Sequence, residues 1–196
     1  MNKTVGTLQL RRVIVIGLIL SMGTPRANFA DSGDAIDLSR AMKVKAAFLF
    51  NFARLIDWPD GTFDDEESPL RIGIYGDAAL AKVVARTVKG KTIRGRSVHA
   101  VRIVERSNAP SEWDCQMLYF GDLSDSEQSD VLEVVEGEPV VLVSDASQFA
   151  SRGGMIGFVL EEGKIAFEIN RKNVERAGLK ASAKLLTLAR LVENDE

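Results

Sequence analysis

The chain has 196 residues, 45% of them hydrophobic and 27% charged, enough for one proper core and no sign of several domains. One histidine and one cysteine rule out a multi-histidine metal centre and an intramolecular disulfide. A formal charge of −3 argues against general binding to a phosphate backbone.

Residues 1–30 read as a secretory signal peptide. Lys3, Arg11 and Arg12 precede the apolar run Val13–Leu20, and Ala30 offers a small residue for cleavage nearby. The apolar run is far shorter than the roughly 20 residues of a membrane span. This leader holds four basic residues and no acidic one, so the remainder has 21 basic against 28 acidic residues, a formal charge of −7. The expectation is an exported, periplasmic protein with a loose lead-in over 31–40, a domain over 41–192 and a tail over 193–196.

From Leu38 to Asp57 the pattern is helical, with Arg40, Lys43, Asn51 and Arg54 forming a narrow polar stripe. Phe48, Phe50 and Phe52 are expected to point in three directions. Either the helix is sandwiched in the domain, or one aromatic edge is a partner or ligand surface. Pro59 ends the helix and leaves Trp58 one turn beyond Arg54, where the two could form a small recognition pocket or Trp58 could pack in the core.

Gly61–Pro69 is an acidic, turn-rich loop. Leu70–Tyr75 is a strand, after which Asp77 caps a helix over Ala78–Val88. This strand–glycine–helix unit lacks the glycine pattern of a dinucleotide fold. Lys89, Lys91, Arg94 and Arg96 lie within eight residues, as a solvated connection or as an anion-binding loop. Val98–Val104, Met117–Phe120 and Val140–Ser144 read as further strands, with a helix at Ser126–Val135. Strands separated by helices point to parallel crossovers.

Met155–Leu160 and Lys164–Ile169, flanking Glu161-Glu162-Gly163, predict an antiparallel hairpin. Asn170 then turns the chain, Asn173–Ala177 forms a short helix stopped by Gly178, and Ser182 caps a closing helix. That last helix would carry Leu185, Leu188 or Ala189, and Val192 on one face. The predicted fold is α/β: a single-domain sandwich whose mixed, mostly parallel sheet is flanked by helices and completed by a C-terminal antiparallel hairpin and closing helix.

Candidate chemistry is sparse. His99 lies in a strand with no recognisable carboxylate partner, and no serine has a histidine within a nucleophile-elbow setting. Asp122, Asp125, Glu127 and Asp130 surround a helix start, where carboxylates are favoured electrostatically. No catalytic residue, cofactor site or metal site is assigned, and no enzyme activity is expected.

Two end motifs carry a resemblance. MKVKAAFLFNFARLIDWP at the start, and GGMIGFVLEEGKIAFEIN followed by AGLKASAKLLTLARLV at the end, resemble the YfiR-like family of periplasmic regulatory proteins. The middle, RIGIYGD, TIRGRSVHAVRIV, WDCQMLYFGDLS and VVLVSD, follows in matching order, so the resemblance spans about Met42 to Val192. It implies a repressor that binds the periplasmic sensor domain of an inner-membrane diguanylate cyclase and lowers cyclic-di-GMP output. It leaves room for an outer-membrane or periplasmic antagonist and for a homodimer, with no nucleic-acid partner. The implied surface joins the first helix's exit (Phe52, Arg54, Trp58, with Met155) to the segment after the hairpin (Asn170, Arg171, Leu179, Lys184). The paired cysteines associated with the family do not carry over to a chain whose only cysteine is Cys115. The alternative is a periplasmic small-ligand sensor that takes an aromatic or anionic metabolite between Trp58, Arg54 and the basic loop.

Overall fold

The computed structural model describes residues 32–104, 113–121 and 123–195, with side chains from residue 38 onward. The expected signal peptide, and Asp122 of the acidic cluster, lie outside the described residues.

An eight-stranded mixed sheet forms the centre, in the spatial order β10-β8-β7-β6-β5-β2-β4-β3. Its interior is built from β2 (Leu70–Tyr75), β4 (Arg96–Ile103), β5 (Met117–Phe120), β6 (Val141–Ser144) and β7 (Ile156–Glu161), each parallel to its neighbours among these five. The residues of β5 and β6 are buried throughout, as expected of parallel strands covered on both faces. β8 (Lys164–Asn170) turns back antiparallel to β7 across Glu162-Gly163. Both loop residues have positive φ (49° and 74°), the geometry of a type I′ hairpin turn. β3 (Thr92–Ile93) makes a second such hairpin with β4 through Arg94-Gly95, also both at positive φ (52° and 85°).

α1 (Ser32–Leu55) begins at Ser32, so the expected loose lead-in is helical over its described residues. α2 (Ala78–Val88) is capped by the Asp77 carboxylate, which accepts from Leu80 N at 2.8 Å. α3 (Asp125–Val134) starts with a full capping box, in which Ser124 and Glu127 satisfy each other's backbone N–H groups.

Two short strands change the reading of both ends of the chain. β1 (Ile56–Asp57) continues directly from α1 and pairs antiparallel with β9 (Lys180–Ala181). Between β8 and β9 lies α4 (Arg171–Arg176), and after β9 comes α5 (Ala183–Leu188), capped by Ser182. The closing helix stops at Leu188, whose side chain is exposed, and Arg190–Val192 becomes β10, parallel to β8. The expected Leu185–Leu188–Val192 helix face is therefore not formed. Leu185 alone is buried, because six residues of helix suffice to return the chain to the sheet edge.

The three phenylalanines of α1 also divide differently. Phe48 and Phe52 are four residues apart, one helical turn, and so share a face. Their rings stack at 5.8 Å and meet Phe167 at 5.4 and 4.8 Å and Phe158 at 6.0 and 5.8 Å. Phe50 projects elsewhere, and the Lys91 ammonium covers its ring at 4.3 Å. The Lys45 ammonium and the Tyr119 hydroxyl both reach the Asp145 carboxylate, tying α1 to the ends of β5 and β6.

Candidate functional site

The β1–β9 ribbon brings the two predicted halves of the surface together. Ile56 faces Ala181 and Asp57 faces Lys180, while Ser182 N–H donates to the Leu55 carbonyl at 2.9 Å. Alongside, Gly178 takes a left-handed conformation (φ 73°), and a β-carbon there would stand 3.6 Å from the Pro59 ring. Helix exit and post-hairpin segment therefore form one continuous face.

Not every predicted residue belongs to it. Phe52 is fully buried in the aromatic cluster and Asn170 is 0% exposed, so neither offers contact area to a protein partner, while Leu179, 1% exposed, contributes only to the floor of a groove. Asn170 instead caps α4, accepting from Asn173 N at 3.2 Å and donating to the Ala150 carbonyl at 3.0 Å. Met155 is buried too, and its wall belongs to a different depression beside Leu132 and Val135. Arg54, Arg171 and Lys184 are exposed and Trp58 is half-buried.

Trp58 and Arg54 do not make a pocket with each other. Arg54 turns back to the Asn51 side chain at 3.1 Å, while the Trp58 indole N–H donates to the Gln116 carbonyl at 3.1 Å. The reason is the strand β1. Ile56 and Asp57 are extended, so Trp58 is not one helical turn after Arg54 but two residues into a different path.

The arginines that meet Trp58 come from the β3–β4 hairpin. A cleft of about 350 Å³ is lined by Trp58, Pro59, Phe63, Ile93, Arg94 and Arg96, among others. The Arg96 guanidinium lies 4.1 Å from the Phe63 ring centre and donates to the carbonyls of Asp65 (2.5 Å) and Ser68 (2.9 Å). Phe63 in turn meets Trp58 edge-on at 6.4 Å. The acidic loop is ordered locally. The Asp65 carboxylate accepts from the Ser68 hydroxyl and the N–H groups of Ser68 and Glu67, and the Ser68 hydroxyl first of all holds its pKa below the ordinary value. Arg94 sits at positive φ in the turn and pairs with Asp57 on the ribbon. Phe63 was missed because it lies in a loop with no periodicity to mark it.

On the other side of the ribbon a shallower groove of about 670 Å³ is lined by Arg171, Glu175, Leu179, Lys180, Ala183 and Leu186, among others. Arg171 pairs with Glu175 one turn on, at 2.7 Å. Lys180 and Lys184 are exposed and make no ion pair or side-chain hydrogen bond with any described residue. An apolar floor with the unpaired Lys180 on its wall, and Lys184 next in sequence to the lining Ala183, in a chain of net negative charge, is the most distinctive electrostatic feature of this face.

Elsewhere the chemistry stays quiet. Asp77 occupies the α2 N-terminus with its own carboxylate, which disfavours an anion there. Cys115 is buried behind β2, and its thiol donates to the Trp113 carbonyl at 2.9 Å. Burial, reinforced by the neighbouring Asp114 charge and opposed by Arg71, pushes its pKa up to about 12. His99 is exposed on β4. Among the described residues no group of three acidic, histidine or cysteine side chains could hold a metal ion, and no helix is long and apolar enough to cross a membrane. A sequence model described as YfiR/HmsC-like matches residues 42–190, from within α1 to the first residue of β10.

Proposed function

The chain belongs to the YfiR/HmsC-like family, and on that premise we propose that it is a periplasmic regulatory binding protein. It holds the periplasmic sensor region of an inner-membrane diguanylate cyclase in its inactive form, and its release raises cyclic-di-GMP. A binder of this kind needs no catalytic group. It acts by binding one partner state more tightly than the other, and it shifts the populations by that difference in affinity.

The observation that carries the docking surface is the β1–β9 ribbon, with its groove of Leu179, Ala183 and Leu186 beside Lys180 and Lys184. This face fits a partner patch with an apolar centre and an acidic edge. The test is co-purification of the exported chain with candidate cyclase sensor domains, repeated with Lys180→Glu/Lys184→Glu. A complex that the double variant loses supports the reading. A complex indifferent to both substitutions moves the contact to another face.

The small-ligand reading keeps one specific support, the Trp58–Phe63–Arg96 cleft, where two aromatic rings and two guanidinium groups converge. It keeps Trp58 and the basic loop of the sequence expectation, through Arg94 and Arg96, and leaves out Arg54. Thermal stabilisation of the chain by a small aromatic anion, in the absence of any sensor-domain complex, would favour it.

A further inference from the structure

A second cleft, of about 510 Å³, opens between the first turns of α3, the segment 151–153 and the tail at 194–195. It shares no lining residue with either feature of the β1–β9 face. Its walls are held from behind. Asn194 Oδ1 accepts from Asn170 Nδ2 at 2.8 Å and Asn173 Nδ2 at 2.9 Å, and Asp195 N–H donates to the Ser151 carbonyl at 2.8 Å. Across the opening Arg152 pairs with Asp125.

One wall residue presents an open hydrogen-bonding group to the cleft. Gln128 is 3% exposed, lines the cleft, and its side-chain amide has no hydrogen-bond partner among the described residues. The amide atoms themselves keep contact with solvent, since Trp113 Nε1 is the one enclosed, unpartnered side-chain atom among the described residues; the packed Gln128 side chain therefore turns its hydrogen-bonding end to the water of the cleft. The amide presents both donors and an acceptor. Around it stand the Ser129 and Ser151 hydroxyls, the Asp125–Arg152 pair and the Asp195 carboxylate, which accepts from Ser151 at 3.1 Å.

We propose that this cleft is a binding site for a neutral polyhydroxylated ligand, a mono- or disaccharide, with Gln128 as its buried anchor. The charge of the lining selects the class. Two carboxylates against one guanidinium repel an anion. A cationic amine would serve the carboxylates but leave the amide donors of Gln128 unanswered. Hydroxyl groups donate and accept together, so neighbouring sugar hydroxyls satisfy Gln128, the carboxylates and the remaining Arg152 donors at once. The volume lies within the range of roughly 300–1,000 Å³ typical of small-molecule sites.

The experiment is a two-dimensional NMR titration of the isotope-labelled chain with D-glucose and D-galactose. Glucosamine and glucuronate serve as cationic and anionic forms of the same ring. The expected result is that a neutral sugar shifts the Gln128 side-chain amide and the backbone amides of residues 151–153, with dissociation constants in the range of about 1–10 mM. Glucuronate should bind at least about tenfold more weakly. Gln128→Leu should lose the response by a similar factor while its melting temperature stays near that of the parent chain, since the amide it removes bonds to no described residue. Gln128→Glu, which keeps the size and adds a charge, should also lose it. The proposal is overturned if neither neutral sugar shifts these signals, if only glucosamine does, or if Gln128→Leu responds unchanged.

Discussion

Two aromatic groups lie within sixteen residues of one another in sequence and behave oppositely. Phe48 and Phe52 close against Phe158 and Phe167 from the hairpin, with Phe52 wholly buried and apolar rings on its sides. Trp58 and Phe63 meet edge-on at a half-open cleft, with guanidinium groups where the first cluster has hydrocarbon. Residue type is shared, so it does not separate a core from a recognition surface. What separates them is whether the polar edge of the group is answered inside the chain. The cluster's polar edge, the Lys45 ammonium 5.8 Å from the Phe158 ring centre and the Tyr119 hydroxyl, is answered by Asp145; the cleft keeps Arg94 and Arg96 partly available to something else.

Stability measurements test that contrast most directly. Phe52→Ala should cost about 3–5 kcal/mol, read as a lowered urea midpoint, because it empties a fully packed site. Trp58→Ala removes a half-buried ring and one hydrogen bond to Gln116, and should cost less than half as much. Equal losses would mean that the cleft is simply core. Binding should reverse the order: Phe52→Ala, measured where it remains folded, leaves sensor-domain affinity near normal. Lys180→Glu/Lys184→Glu should weaken it by about tenfold or more with little change in stability, since exposed substitutions stay within about 0.5 kcal/mol each.

Cys115 gives a chemical probe of the closed interior. With its pKa pushed up to about 12 from an ordinary 9.0, the folded chain favours the thiol. Its contribution is then intact below pH 9 and lost as pH rises from 9 towards 12, because only the unfolded chain ionises readily there. Native protein should resist thiol reagents near neutral pH, and above pH 9 it should lose stability faster than Cys115→Ala does. Rapid labelling of the folded chain would show that this wall opens. The smallest effect is expected at Arg94, which holds a left-handed conformation that asparagine tolerates better. Arg94→Asn should change stability by only a few tenths of a kcal/mol, the relief of the turn offsetting the lost Asp57 pair. A loss above about 1 kcal/mol would make that pair a structural strut of the cleft.

Local signals were legible wherever one residue satisfies a nearby backbone group. Asp77 and Ser182 cap the helices expected of them, Asn170 turns the chain as expected and in doing so caps a helix that starts two residues early, and β2, α2 and β5 occupy the expected residues. Glu162-Gly163 makes the expected hairpin. The α/β class followed from the alternation of these elements, and the family from the order of the motifs. The site was legible only in part, since the meeting of Trp58 with the basic loop was expected while the place of Phe63 in it, and the absence of Arg54, were not.

Capping, turn chemistry and hydrophobic period act over a few residues, and the sequence by itself settles them. Only the tertiary structure decided that Ile56–Asp57 and Lys180–Ala181 pair, that Arg190–Val192 is a strand rather than a helix end, and that Arg96 replaces Arg54 beside Trp58. The short strands β1, β9 and β10 have too little pattern to show a period, and each exists only because a partner more than twenty residues away completes its hydrogen bonds.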